Sequence, residues 1–219
     1  MPNTLQDPRV AAELDRMYTE SKNQMSKLRD MHADLGRPMT AQERTEAMSE
    51  FYIPVTPESG RLLYALVRAT RPATVVEFGM SFGISAIHLA SAVRDNATGR
   101  VLTTELSDSK IAAAKQTFAK TGLDSVITIL EGDALSTLAE LDGPVDFVLL
   151  DGWKDLYLPV IKLLEPRLSA GVLVVADNAS APDMKPYLDY VRDPDNGYVS
   201  FNFLARESDS VEVSCRTGD

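Results

Sequence analysis

Two apolar runs in this sequence end abruptly on groups that can bind a cation or move a proton. "LLDGWKDLY", residues 149–157, carries Asp151, Lys154, Asp155 and the only tryptophan, Trp153; "GVLVVADN", residues 171–178, ends on Asp177 and Asn178. Asp151, Asp177 and Asn178 offer three oxygen ligands from two strand ends. That set suits a hard cation such as magnesium, which takes one or two carboxylates and leaves positions for waters and substrate oxygens. Lys154 would sit beside such a cation, and a nearby positive charge and a dry pocket both lower a lysine pKa toward neutrality, where the amine can accept a proton. Plainer roles exist for the same residues. The acids and Asn178 could be turn residues, and Lys154 could pair with Asp155 at the surface.

A second group lies in "VVEFGMSFGISA", residues 75–86. Glycines between a strand and a helix let the backbone approach a ligand. The spacing of Gly79, Ser81 and Gly83 departs from the dinucleotide fingerprint G-x-G-x-x-G, and Glu77 ahead of the turn suits a cationic ligand better than a phosphate. Glu105 closes the next apolar run, where an acid can bind both hydroxyls of a ribose, and Asp133 in "LEGDAL" closes the one after. Each of these acids could also be a helix cap or a solvated turn residue.

The elements that would position these groups follow from periodicity. Residues 8–35 place Val10, Leu14, Met17, Met25, Leu28, Met31 and Leu35 near one helical face, with a polar gap at Ser21 and Gln24. "LGRPMT" breaks that helix, Thr40 and Glu43 form the pattern of a capping box, and "SGRLLYALVRAT" is helical up to Pro72. Strand and helix patterns then alternate: "TVVEFG", helix 84–94, "RVLTTEL", helix 108–121, "VITILEG", helix 134–141, "VDFVLLDG", helix 155–168, "GVLVVADN". This alternation predicts a parallel sheet covered on both faces. A short helix near 183–191 precedes "YVSFNFL" and "VEVSCR", joined by "ARESDS", which read as an antiparallel hairpin. The fold expected is an α/β, Rossmann-like, doubly wound sheet of seven mostly parallel strands, with the C-terminal hairpin and an N-terminal helical extension. Ligands in such sheets bind beyond the carboxyl ends of the strands, so Glu77, Glu105, Asp133, Asp151 and Asp177 should share one rim.

With 44% hydrophobic residues in 219, the chain can bury one core. We expect one domain overall, with residues 1–58 as an extension or lid and 59–219 as the main body. The net charge of −10, with scattered Lys and Arg, disfavours nucleic acid and favours a small molecule as partner. The lone Cys215, the absence of a signal-peptide pattern and the lack of a long apolar run predict a cytoplasmic protein without membrane association.

The order E-x-G-x-x-x-G, strand-end Glu, G-D-A, D-x-W-K-D, A-D-N resembles the class I S-adenosylmethionine-dependent methyltransferases, and within them the metal-dependent catechol and caffeoyl-CoA type O-methyltransferases, over about residues 50 to 182. The resemblance implies that Val55, Glu77, Gly79, Ser85, Glu105, Asp133, Ala134, Asp151 and Trp153 contact S-adenosylmethionine. Within that set, Glu105 would take the ribose, Asp133 would lie near the adenine, and Glu77, Gly79 and Ser85 would lie along the methionine part. It also implies Asp151, Asp177 and Asn178 as ligands of Mg2+ or Mn2+, Lys154 as general base, and Phe51, Trp153, Lys154, Asn178 and Pro182 around an aromatic substrate with vicinal hydroxyls. Gly152 stands where the mammalian enzymes carry histidine, which removes one cofactor contact. Those enzymes also place a further carboxylate near the C-terminus; Asp195, Asn196 and Glu207 are the candidates here. Related bacterial and plant enzymes are commonly dimers, and the N-terminal stripe makes a homodimer the expectation, although it could pack on its own domain instead.

Four other readings compete with this one. A nicotinamide oxidoreductase would share the fold and Glu105 but leaves D-x-W-K-D unexplained. A base methyltransferase would carry N/D-P-P-Y/F where this chain has "DGWK". Transfer to another small-molecule hydroxyl, or a non-catalytic cofactor-binding member of the fold, stays open beside the catechol reading. His32 and His88 have no second His or Cys nearby and read as structural.

Overall fold

The computed structural model describes residues 3–34, 39–206 and 209–218. Three helices come first: α1 (Pro8–Asp34), α2 (Ala41–Ala47) and α3 (Pro57–Thr70). Thr40 and Glu43 form the reciprocal capping box that opens α2, and Thr56 caps α3, which begins two residues ahead of the expected start with Pro57 in its first turn.

The alternating part follows as β1 (Thr74–Phe78), α4 (Ile84–Asn96), β2 (Arg100–Glu105), α5 (Asp108–Thr121), β3 (Ile127–Glu131), α6 (Ala134–Ala139), β4 (Val145–Leu150), α7 (Tyr157–Leu164) and β5 (Leu168–Ala176). The chain ends with α8 (Lys185–Arg192), β6 (Tyr198–Arg206) and β7 (Asp209–Arg216). The seven strands lie in the order β3-β2-β1-β4-β5-β7-β6, with β7 antiparallel to both β5 and β6. The order reverses between β1 and β4, which run parallel side by side.

Several boundaries differ from the sequence pattern. The helix expected over 155–168 is α7 alone, flanked by 3-10 turns at Lys154–Leu156 and Glu165–Arg167, the latter containing Pro166, which has no amide hydrogen to extend α7. β5 starts at Leu168 because Leu168 pairs with Val145 across an irregular register, so Ser169, Ala170 and Gly171 belong to the strand. The hairpin strands run through Arg206 and Asp209, so "ARESDS" is mostly strand and its remaining residues, 207 and 208, lie outside the described chain.

The central strands β1, β4 and β5 are buried on both faces. Val75, Phe147, Leu149 and Val175 face one cluster with α4, and their strand neighbours Val76, Val148, Leu150 and Val174 face the other with α7, as the two-residue strand period requires. Val10, Leu14 and Met17 of α1 join the first cluster, so this part of the N-terminal stripe is covered by its own domain. Burying such side chains stabilises by about 1.5–3 kcal/mol each. The polar gap has a purpose: Gln24 donates to Glu50 O at 3.0 Å and accepts from Tyr52 N at 2.9 Å, tying α1 to the segment leading into α3. Leu35 and the side chains of Met31 and His32 lie outside the described residues. Among the described residues no helix is long and apolar enough to cross a membrane.

Candidate active site

A cleft of about 730 Å3 opens at the carboxyl ends of the parallel strands, across the point where the strand order reverses. The β1–β3 half supplies Gly79, Ser81, Glu105, Leu106, Lys110, Asp133 and Ala134 to its wall. The β4–β7 half supplies Asp151, Trp153, Lys154, Asn178, Asp183 and Asp209, and the segment around α2 adds Thr45, Met48 and Ile53.

The glycine loop is shaped by left-handed backbone at Gly79, Ser81 and Gly83, with φ of 95°, 51° and 93°. Ser81 N donates to Glu105 Oε2 at 2.8 Å, while Leu106 N and Ser107 N donate to Oε1 at 2.9 and 2.8 Å. Three backbone amides therefore fix the Glu105 carboxylate, two on Oε1 and one on Oε2, so the accepting position left for a hydroxyl is on Oε2. Lys110, nearly buried, donates to Ser81 Oγ at 3.2 Å; burial lowers its pKa and the Glu105 charge acts against that shift. Asp133 caps α6 by accepting from Ser136 N at 3.0 Å while also standing on the cleft wall, so the cap role foreseen for it is real.

Gly79 meets Gly152 directly: a Cβ on Gly79 would lie 2.6 Å from Gly152 Cα, and a Cβ on Gly152 would lie 2.5 Å from the Phe78 ring. The loops after β1 and β4 thus touch through two residues without side chains, and Phe78 occupies the space that a side chain at 152 would need.

Glu77 lies beneath this loop, fully buried in β1, and is not part of the cleft wall. The Thr103 hydroxyl donates to its Oε2, and the buried Ser85 hydroxyl also favours the charged form. Its Oε1 has no partner within hydrogen-bond geometry. Desolvation prevails over the hydroxyls and pushes the carboxyl up to about 7.

The other half of the site is held by continuation of the sheet ladder. Asp151 N donates to Phe78 O at 2.8 Å and Asp177 N to Leu150 O at 3.0 Å, placing both acids one residue beyond their strands. Lys154 Nζ donates to Tyr157 Oη at 2.7 Å and lies 3.8 Å from Asp151 Oδ1. Its expected surface partner is taken: Asp155 accepts from both terminal nitrogens of Arg44 at 3.0 and 2.9 Å, and the Arg44 guanidinium lies 4.8 Å over the Trp153 ring. Asn178 adopts the left-handed conformation, φ 59°, and gives its Nδ2 to Asp209 Oδ2 at 2.6 Å. The Tyr157 hydroxyl donates to Asp177 O at 3.3 Å; burial holds its pKa well above the ordinary value, and the charges of Asp151, Asp177 and Asp209 add to the shift.

Asp209 is the residue that the sequence did not single out. β7 runs antiparallel to β5, which brings the start of β7 to the rim, and the register of the hairpin was the signal that could have located it. By the same register Asp195 and Asn196, just ahead of β6, lie at the opposite end of the sheet. Glu207 is outside the described residues. Asp177 and Val55, both buried, line a small hollow apart from the cleft. Phe51 and Pro182 do not reach the cleft wall, where Met48, Ile53, Ala181 and Asp183 stand instead. Among the described residues no three His, Cys, Asp or Glu side chains form a cluster able to hold a metal. His88 is buried, within 3.4 Å of Tyr18 Oη, and desolvation lowers its pKa to about 4, in keeping with a structural role.

The chain is similar to known proteins over most of its length. A family model described as "Methyltransferase domain" matches residues 76–179. Catechol O-methyltransferase B of Danio rerio is 30% identical over 225 residues, covering 95% of this chain and 84% of that protein. Catechol O-methyltransferase of Mus musculus is 32% identical over 171 residues, with 74% of this chain and 64% of the mouse protein covered. The O-methyltransferase of Bacillus cereus, solved in complex with SAH, superposes with a TM-score of 0.71 at 18% identity, covering 92% of this chain and all of that one, a likeness of fold.

Proposed function

The chain belongs to the catechol-type family of S-adenosylmethionine-dependent O-methyltransferases, and from that premise we propose that it methylates one hydroxyl of a small aromatic molecule with vicinal hydroxyls, assisted by a divalent cation. The observation that carries this reading is Lys154, held at a strand end by Tyr157 and Asp151 on the wall of the same cleft as Glu105 and the glycine loop.

S-adenosylmethionine would supply an electrophilic sulfonium methyl. Glu105 would take the ribose through Oε2, with Leu106, Asp133 and Ala134 around the base and Gly79 along the methionine part. Glu77 and Ser85 lie buried beneath the glycine loop, from where the Glu77 carboxylate would favour a cationic ligand above it through its charge. The donor chemistry beside Lys154 suits a hard cation, since every candidate ligand, the carboxylates of Asp151 and Asp177 and the amide of Asn178, offers oxygen. Asp151, Asp177 and Asn178 would hold it, and the cation would lower the pKa of a substrate hydroxyl. The cation's charge would lower the Lys154 pKa as well, so that Lys154 as the neutral amine accepts that proton at Nζ and becomes the ammonium. Asp209 stands where it can accept from the second hydroxyl, and Trp153, Met48 and Ile53 exclude water and fix the ring. Holding oxygen and methyl at attack distance can supply about 7–11 kcal/mol of the barrier.

The extension, residues 1–58, belongs to the proposal as the outer wall of the acceptor pocket, supported by Thr45, Met48 and Ile53. A cytoplasmic setting fits the single free Cys215, and a homodimer is supported by Val199, Phe201 and Leu204, exposed on the edge strand β6. Light scattering that returns the mass of one chain removes the dimer. The function is tested by incubating the protein with S-adenosylmethionine and a catechol with and without magnesium. We expect a methylated product that disappears with a chelator and returns with Mg2+ or Mn2+; full turnover after exhaustive chelation refutes the cation's part, and no product under any condition refutes the substrate class.

A further inference from the structure

Arg44 does not belong to any of the motifs above, yet it joins the two sides of the acceptor pocket. It lies on α2, whose neighbours Thr45 and Met48 line the cleft, and its guanidinium grips Asp155 with both terminal nitrogens, 3.0 and 2.9 Å away. The same guanidinium covers the Trp153 ring at 4.8 Å. Trp153, Lys154 and Leu156, on either side of Asp155, line the cleft from the opposite side. We propose that Arg44 is a positioning residue for methyl transfer, a clamp that holds α2 against the turn after β4 and thereby sets the acceptor pocket and the direction of Lys154.

Three physical points support the assignment, which rests on the methyl-transfer reading of the cleft. A forked guanidinium–carboxylate contact fixes orientation as well as distance, and only the planar arginine head can make it while stacking on an indole. The Arg44 side chain is 23% exposed and its Nε is buried without a hydrogen-bond partner, so the head is seated between the two walls and is not waving at the surface. Asp155 is the carboxylate next to Lys154; with Arg44 occupying it, the Lys154 ammonium turns to Tyr157 and Asp151 inside the cleft. Without Arg44, Asp155 becomes available to the neighbouring ammonium, and α2 loses its hold on the turn.

The groups that fix Glu105, on the loops after β1 and β2, are not among the partners of Arg44 and Asp155. Arg44→Ala and Asp155→Ala should therefore each lower kcat/KM for the acceptor by about tenfold or more, the scale on which small misplacements of reacting groups act. The loss should appear as a higher acceptor KM together with a lower kcat, while the Kd of S-adenosylmethionine measured by calorimetry stays within about twofold of wild type. The double variant should be no slower than either single one, because each removes the same clamp. Arg44→Lys, which keeps the charge without the fork or the stack, should recover only part of the activity. Wild-type acceptor kinetics in Arg44→Ala, losses that multiply in the double variant, or a fall in cofactor affinity parallel to the fall in activity would each overturn the clamp. A wild-type protein that fails to bind S-adenosylmethionine would instead overturn the methyl-transfer reading beneath it.

Discussion

Glutamine in place of Glu77 removes a charge from the centre of the sheet and changes almost nothing in shape. Burial raises this carboxyl from its usual 4.5 to about 7, a shift of about 2.5 pH units between the unfolded and the folded chain. At 1.36 kcal/mol per unit this corresponds to about 3 kcal/mol. The sign follows from proton counting. Below pH 4.5 the group is protonated in both states and costs nothing; between 4.5 and about 7 the unfolded chain releases its proton while the folded chain keeps it, so stability falls as pH rises, and it levels off above 7. Glu77→Gln stays neutral throughout. Without ligand, its unfolding free energy should equal that of wild type near pH 4.5 and exceed it by about 3 kcal/mol at pH 8. Cofactor binding should show the opposite preference, because a cationic ligand above the loop favours the ionised carboxylate: wild-type affinity should fall as pH drops below about 7, and the variant should bind more weakly above that pH and without this pH dependence. Urea unfolding of both proteins from pH 4.5 to 8, with calorimetry of S-adenosylmethionine over the same range, measures both effects. A stability difference that does not change with pH refutes the reasoning.

Glu105→Ala should weaken S-adenosylmethionine by about 1.5–3 kcal/mol through lost hydrogen bonds to a charged acceptor, and unchanged affinity by calorimetry places the ribose elsewhere. Lys154→Ala should keep cofactor affinity and lose about a hundredfold to ten-thousandfold in turnover, the usual span for a general base; an undiminished rate rules it out in that role. Asp209→Asn should raise the acceptor KM by about tenfold while leaving the cofactor Kd alone, since one charge-assisted hydrogen bond of about 1.5–3 kcal/mol is weakened. Equal KM values in steady-state assays would dismiss Asp209 from the acceptor site.

The parts of this protein set by short-range periodicity were readable before any coordinates. Short apolar runs rich in Val, Leu and Ile marked the parallel strands, and the rule that ligands gather at carboxyl ends placed Glu105, Asp133 and Asp151 around one cleft, while Asp177, expected with them, is buried beside a separate hollow. Glu77 shows the limit of that rule: it is one residue short of the end of β1, and in a strand covered on both faces that single step buries the side chain beneath the loop. Asp209 depends on the antiparallel register of β7, which no local pattern encodes. Arg44 meets Asp155 across 111 residues of sequence, so its contact belongs to the path of the chain and not to any motif. Phe51 was a reasonable aromatic candidate, but the route of the chain between α2 and α3 turns Met48 and Ile53 to the cleft.

The touching glycines at 79 and 152, with the Phe78 ring filling the adjacent space, tie three positions into one fixed volume. Relatives that carry a histidine after the first strand-end aspartate need room for it, and here the room is the phenylalanine. Size should therefore be traded between the loops: a bulky residue at the position of Gly152 should accompany something smaller than phenylalanine at the position of Phe78, and the two changes should be tolerated together where each alone is not. For anyone reshaping this enzyme, Gly152→His on its own should push the loop after β4 away from β1, dragging Trp153 and Lys154 with it, whereas Phe78→Ala first would open the space.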